Sequence, residues 1–597
     1  MKIKVSNYVA DFLAEKGIEH VFTVTGGGAM HLNDSLGHHS KLKCIYNHHE
    51  QASAIAAEGY TRLTGNLAAV CVTSGPGGTN AITGVLGGWL DSIPMFILSG
   101  QVKRETTLWS TEVPLRQLGD QEYNIVESVK PMTKYAKMIT EPKEIRYHLE
   151  KALYLCKNGR GGPVWLDIPL DVQAAVVETE ELQGFDNGEL DKQENPVFEE
   201  CFTEAVLEKL REAKRPLILA GTGIRLAGAH KEFLGLIRKL DIPVVTAWNA
   251  HDLICDDDPL NCGRPGTVGT RGGNFVVQNC DLLLILGCRM NIRMIGYNFG
   301  DFAKNAYKIM VDIDANEMKK PTIHIDMPVH ANVKDFMISM TKKATEEKGK
   351  AYRDWKAWAY QINQKYPAVL DAYYENDKSL NPYVFVREFF KCIPKEMDVI
   401  CGNGSACVIT FQAAVIKEGQ RLFTNSGCAA MGYGFPAAIG ASVARNGKPV
   451  ICIDGDGSFQ MNIQELQTVV YNRMNIKIVY LNNNGYHSIR QTQTNIFKRS
   501  LVGVCDGNGL SFPDIRKIAE AYGLGYVKID ALDNIRAGYE QMMEMEGPVI
   551  CEAVVDEGQN FAPKLSSRVL PDGKIVSPSI DDMFPFLDRQ EYEADHI

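Results

Sequence analysis

The sequence predicts an α/β protein of three doubly wound domains with mostly parallel sheets, and three observations carry that expectation. Two segments, LAAVCVTSGPGGTNAITGVLGGWLDSIPMFILSG and KPVICIDGDGSFQMNIQELQTVVYNRMNIKIVYLNN, share one plan: an apolar strand, a glycine loop, a helix and another apolar strand. Their spans from loop to the end of the next strand are alike, Gly75 to Gly100 and Gly455 to Asn482, so they read as two copies of one unit. Between them, PLILAGTGIRLAGA opens a third unit with a strand, Gly221, Gly223 and a helix start, and CDLLLILGCRM and KIMVDID add two buried strands.

Taken in order, MKIKVSNYVADFLAEKG reads as an amphipathic helix and not as a signal peptide. The acidic, strand-poor run at residues 178–196 marks a linker, and KKATEEKGKAYRDWKAWAYQINQKYP marks a helical connection. The expected domains are therefore residues 1–178, 196–345 and 366–556, with a tail at 557–597 as a candidate active-site cover. The 597 residues are ordinary for a globular protein at 45% hydrophobic and 23% charged. A net charge of −10 without a basic cluster argues against a nucleic-acid partner. No apolar run approaches the roughly 20 residues of a membrane span, so the expected location is the cytoplasm. The fifteen cysteines contain no C-x-x-C pair and sit mostly in apolar runs, which reads as reduced core residues, not disulfides or zinc ligands.

The most telling stretch is Gly455-Asp456-Gly457-Ser458. The run PVICID ends at these glycines, at the carboxyl end of a buried strand, where open parallel sheets bind ligands. Asn483 follows Asp456 by 27 residues, in YLNNNGY. Asp456 offers a carboxylate, Asn483 an amide oxygen and Gly485 a backbone carbonyl, three hard oxygens that suit Mg²⁺ and leave positions for two diphosphate oxygens and a water. A lone GDG is usually only a turn. Here the intervening FQMNIQELQTVVYNRMNIKIVYL reads as helix, turn and strand, which returns the chain to the same sheet edge. Gly221 and Gly223 alone are weak signs of a nucleotide, and a structural turn is their commoner use.

Further motifs surround this loop: YNHHEQASAIAAEGYTRLTG, TSGPGGTN, DSIPMFILSGQV, GPVWLDIPLDVQ and MGYGFPAAIGA. Together they closely resemble the thiamine-diphosphate enzymes of the acetolactate synthase group, over nearly the whole chain, in the order pyrimidine-binding, central and diphosphate-binding domain. The resemblance implies that the Glu50 carboxylate pairs with the aminopyrimidine ring and activates the cofactor. It implies that Met431 sits beneath the cofactor and that Gln121 lies near the reacting centre. Read without it, Glu50 is an exposed helical glutamate, Met431 a core methionine and Gln121 a surface amide. Because pyrimidine and diphosphate are gripped by different domains, the resemblance also implies a homo-oligomer with active sites between chains.

The departures fall on the acceptor side. Where the family carries a methionine and a tryptophan, this chain has Ser488 and Thr492, beside His487; Asp120 replaces a phenylalanine and Leu170 a lysine. The pocket is expected to be wider and more polar. For FAD, Arg289 and Arg293 match the family's arginines, while Asn291, Ile292 and Val268 replace two aspartates and a histidine, leaving FAD bound, altered or absent. The expected activity is decarboxylation of a 2-oxo acid, with pyruvate as donor, and carboligation of the two-carbon unit to an acceptor carbonyl. Alternatives are a polar acceptor such as a keto sugar, a flavin-linked pyruvate oxidase, a simple decarboxylase and a non-catalytic binding subunit. The pairs His38-His39 and His48-His49 lie in the wrong place for the decarboxylase signature and read as solvated or helix-capping.

Overall fold

The computed structural model describes residues 1–190, 196–344, 352–375, 379–497, 499–569 and 573–597. The amino-terminal sheet runs, edge to edge, Lys43–Tyr46, His20–Thr23, Ala69–Val72, Met95–Gln101, Pro163–Pro169 and Tyr135–Met138, every neighbouring pair parallel. The carboxyl-terminal sheet runs Arg421–Phe423, Asp398–Cys401, Val450–Gly455, Ile476–Asn482, Val549–Val554 and Gly525–Ile529, again all parallel. Numbered by appearance within each sheet, both have the order 2-1-3-4-6-5. The two segments singled out in the sequence supply strands 3 and 4 of each, so the duplicated plan is a duplicated topology. The central sheet has five parallel strands in the order 2-1-3-4-5. All three reverse direction between strands 1 and 3, the crevice where such sheets take ligands.

The helix joining strands 2 and 3 is Glu50–Thr64 in the first sheet's unit and Gly434–Ala444 in the last. These equivalent helices pack backbone to backbone. A Cβ on Gly59 would lie 2.6 Å from the Ala437 oxygen, and one on Gly440 would lie 1.9 Å from the Ala56 oxygen. The reciprocal pairing, Ala56 with Gly440 and Gly59 with Ala437, places a local two-fold axis between the halves. Helix Glu50–Thr64 starts at His49, whose Nδ1 accepts from the Gln51 N–H at 3.1 Å, and stops at Gly65 with φ 74°. His49 is thus a helix cap, as the sequence suggested.

The helical connection belongs to the central domain instead of lying between domains. Trp355, Ala359 and Ile362 of helix Arg353–Lys365 are buried in the central core, and Asn363 backs onto Gly272. The central core thus reaches through the connection towards the boundary expected near residue 365, by an apolar face spaced at helical intervals among polar neighbours. The tail returns to the same domain: Asn274 Nδ2 donates to the Ile580 oxygen at 2.9 Å, Arg271 donates to the Met583 and Pro585 oxygens, and His596 and Lys365 pair with Asp581 and Asp595. Among the described residues only its first ones reach the carboxyl-terminal sheet edge, where Phe561 meets His487 edge to face at 5.1 Å. Parts of the linker at 178–196 and of the connection at 342–367 lie outside the described residues. Every cysteine is free, and nine of the fifteen are buried.

Candidate active site

Val450–Gly455 delivers Asp456 to the switch point of the carboxyl-terminal sheet. Burial raises its carboxyl to about 6, opposed by N–H donors from Gly485, Gly457 and Asn483. Gly485 N–H reaches Oδ2 at 2.8 Å and Gly457 N–H reaches Oδ1 at 2.7 Å, so Asp456 ties the loop after Asn482 to its own. Asn483 is buried, its Nδ2 donates to Ser405 Oγ at 2.9 Å, and its Oδ1 has no partner. A buried amide oxygen left unpaired is costly, and a cation is one group that satisfies it. The Gly485 carbonyl accepts from the His487 N–H at 2.9 Å, keeping a second lone pair. Among the described residues no three His, Cys, Asp or Glu cluster as metal ligands. A cation here would be held by the Asp456 carboxylate, the Asn483 amide oxygen and the Gly485 carbonyl, hard oxygens of the kind Mg²⁺ takes.

The glycines around Asp456 do different work. A Cβ on Gly455 would meet nothing within 4 Å, leaving room for a ligand, whereas one on Gly457 would strike the Tyr486 ring at 2.2 Å and come within 3.4 Å of Met431 Cε. Met431 therefore stands over this loop. Ser458 Oγ accepts from the Gly432 N–H at 3.0 Å, fixing the residue after Met431.

Glu50 begins its helix and is buried, and its Oε2 accepts from Asn80 Nδ2 at 2.9 Å. Asn80 lies on helix Pro76–Asp91, whose N-cap Gly75 abuts the Gln121 carbonyl. Glu50, Asn80 and Gln121 thus share the carboxyl edge of the amino-terminal sheet. The two outer domains are joined through buried polar contacts. Asn462 Nδ2 donates to Gln51 Oε1 at 3.1 Å and to the Gly432 oxygen at 2.8 Å, and Tyr433 O–H donates to Glu58 at 2.7 Å. Glu58 is in turn paired with Arg62, which also binds Asp91 at 2.8 Å.

Comparison with known proteins supplies the family. Models of the thiamine pyrophosphate enzyme match in three parts: the N-terminal TPP binding domain at residues 3–124, the central domain at 203–340 and the C-terminal TPP binding domain at 402–553. An acetolactate synthase large subunit from Cyanidium caldarium is 30% identical, over 93% of this chain and 94% of its own length. A probable acetolactate synthase large subunit from Methanococcus aeolicus is 30% identical over 95% and 93%, and the isozyme 1 large subunit of Escherichia coli strain K12 is 28% identical over 94% and 95%. The chain belongs to the thiamine-diphosphate enzymes of the acetolactate synthase group.

In this thiamine-diphosphate enzyme the residues expected to line the acceptor pocket come from the two outer domains, His487, Ser488 and Thr492 from the carboxyl-terminal one and Asp120 from the amino-terminal one. Thr492 is exposed, its hydroxyl donating back to the Ser488 oxygen at 2.9 Å, and Ser488 Oγ lies near Gly404. Asp120 and Gln121 are exposed on the other half. His487 is buried, and loss of water, aided by Arg490 and opposed by the Gln559 and Glu557 main chain, lowers its pKa to about 4. The candidate FAD residues lie around one cavity. Gly223 and Arg289 line a cavity of about 340 Å³ shared by the three domains. A Cβ on Gly221 would strike the Gly287 oxygen at 2.2 Å, so close strand packing already requires that glycine. Arg293 lies over the Trp248 ring at 5.3 Å. Sequence reasoning missed Asn80 and Ser405, which orient Glu50 and Asn483; Asn80 stands in the TSGPGGTN motif, while nothing local marks Ser405.

Proposed function

We propose that this enzyme decarboxylates a 2-oxo acid, with pyruvate as donor, and ligates the two-carbon unit to an acceptor carbonyl, using Mg²⁺ to hold the diphosphate. The observation that carries the reading is the buried, unpartnered Asn483 Oδ1 beside Asp456 at the switch point. Asp456, Asn483 and the Gly485 carbonyl would hold the metal, and Gly455 leaves the space a phosphate needs. When bound, thiamine diphosphate supplies the nucleophilic carbon that releases CO₂ from the donor and carries the remaining unit. The chain's own contribution is orientation and proton handling. Asn80 engages Glu50 Oε2 and leaves Oε1 to hold a proton on the pyrimidine side. Met431 supplies an apolar surface over the loop, and Gln121 an amide for substrate. Glu50→Gln keeps the size but loses the proton-accepting carboxylate. Turnover is expected to fall about 10²- to 10⁴-fold with thiamine diphosphate still bound, and wild-type turnover would overturn the reading.

A second reading of the acceptor is favoured by the polar side chains at 487, 488 and 492. A buried imidazole next to two hydroxyl side chains offers polar groups that a hydroxyl-bearing acceptor can pair with and an apolar one cannot. Thr492→Trp is expected to depress kcat/KM for a polyhydroxylated carbonyl acceptor more than for pyruvate as acceptor; pyruvate as the best acceptor of the wild type returns the protein to acetolactate formation. Any flavin belongs in the cavity beside Gly223 and Arg289, and the visible absorbance of the purified protein decides whether one is held.

A further inference from the structure

Residues 102–123 connect strand Met95–Gln101 to helix Ile125–Val129 and carry Asp120 and Gln121. Within one chain apolar burial does not order this loop, because Trp109, Val113, Leu115 and Leu118 are between 43% and 60% exposed. Its one deeply buried charged side chain is Glu122, 7% exposed. Glu122 Oε1 accepts from the Leu108 N–H, and Oε2 accepts from the N–H groups of Leu118 at 2.8 Å and Gly119 at 3.3 Å. Gln117 Nε2 donates to the Glu122 carbonyl at 3.0 Å. Among the described residues no basic side chain forms an ion pair with it. A buried carboxylate satisfied by main-chain donors alone gathers distant points of the loop onto two atoms, and such charge-assisted bonds are the strong kind.

The residue before it is held in a conformation that needs holding. Gln121 has φ 58°, uncommon for a residue with a Cβ, and its carbonyl sits against Gly75 at the start of the helix whose Asn80 grips Glu50. On the far side, Gln101 Nε2 donates to the Tyr123 oxygen at 2.8 Å and to Asp167 at 3.0 Å. Glu122 and Gln101 therefore pin the main chain on either side of a short stretch that presents Gln121.

We propose that Glu122 is a positioning residue: its carboxylate fixes the 104–121 loop and thereby sets Gln121 in register with Glu50 for the ligation step. The proposal rests on the carboligase reading above. Glu122→Gln replaces one acceptor oxygen by an NH₂ group that faces a backbone N–H, and Glu122→Ala removes both acceptors. In both variants thiamine-diphosphate affinity and pyruvate consumption should stay near wild type, since the clamp and Glu50 are untouched. The yield of ligated product should fall about 10- to 100-fold, the size of effect a misplaced positioning group has. The unit that is not ligated takes up a proton and leaves as acetaldehyde, so acetaldehyde should rise to match. Independently, hydrogen exchange at the Leu108, Leu118 and Gly119 amides should speed up.

Wild-type product partition together with wild-type amide protection overturns the proposal. Equal loss of cofactor affinity and both products also overturns it, because that is general unfolding; Glu122→Gln, which keeps the volume, guards against reading a misfolded Ala variant. Should the wild-type enzyme ligate nothing, the carboligase reading fails, while amide exchange still decides whether Glu122 holds the loop.

Discussion

Asp456 and Asn483 divide one task. The carboxylate, already raised to about 6 by burial, organises the loop through backbone donors, and the amide keeps its oxygen unpaired. Asp456→Ala is therefore expected to abolish cofactor binding and not chemistry alone. Titration of apoenzyme with thiamine diphosphate and Mg²⁺ checks this, and unchanged affinity would place the metal ligands elsewhere. Asp167 makes a different prediction. It is fully buried beneath Ser99 and Gln101, and burial pushes its carboxyl up to about 7 despite their hydrogen bonds. A folded-state pKa above the unfolded value of 3.8 means that the native state binds the extra proton. Stability from this group is thus present below about pH 4 and lost as pH rises to about 7. Asp167→Asn should flatten the fall in melting temperature between pH 5 and pH 8 relative to wild type. Asp456, Asn483 and Glu50 were legible in the sequence because each stands in a local motif. Ser405, which orients Asn483 from 78 positions away, was not, since a single long-range hydrogen bond leaves no local pattern.

Among elements, the pair Glu50–Thr64 and Gly434–Ala444 has the least tolerance. Gly440→Ala would drive a Cβ to within 1.9 Å of the Ala56 main-chain oxygen, which no rotamer change relieves. Overpacking of about 1–3 kcal/mol or more is expected, seen as a drop of several degrees in melting temperature together with lower turnover, because Glu50 rides on the displaced helix. Gly235→Ala is the counter-test. It lies exposed within helix His230–Leu240 with nothing within 4 Å of a new Cβ, so stability should be unchanged or gain up to about 1 kcal/mol. Strand positions were legible because the buried strands are near-continuous apolar runs. Helix Arg353–Lys365 was read as a connection because its three core residues, Trp355, Ala359 and Ile362, are scattered among polar neighbours, and only packing reveals their common face.

For the whole molecule, the question is which chain completes each site. If Glu50 of one protomer serves Asp456 of another, Glu50→Gln and Asp456→Ala protomers mixed and allowed to exchange should regain activity. Random pairing makes half the dimers mixed, each with one intact site, so about one quarter of wild-type activity is expected. No recovery would mean that each chain completes its own site. The shared strand order of the two outer sheets was anticipated from two segments with one plan; the reciprocal glycine contacts between their helices were not, because they join residues nearly four hundred positions apart. Among the described residues no helix is long and apolar enough to cross a membrane.

The local two-fold axis through Gly59 and Gly440 bears on the history of the chain. A single ancestral unit paired with itself would have carried the same loop on both sides of that axis. Today the carboxyl-terminal copy has Asp456 after its third strand and Asn483 after its fourth, while the amino-terminal copy has Ser74, Gly75 and Val102 in the corresponding stretches and carries Glu50. The two halves thus differ in their ionisable groups, Asp456 standing in one and Glu50 in the other. On the proposed function, a circularly permuted chain that keeps the helix pair intact would be a less disruptive rearrangement than a chimera made of two identical halves, since two clamps without a Glu50, or two glutamates without a clamp, would assemble no complete site.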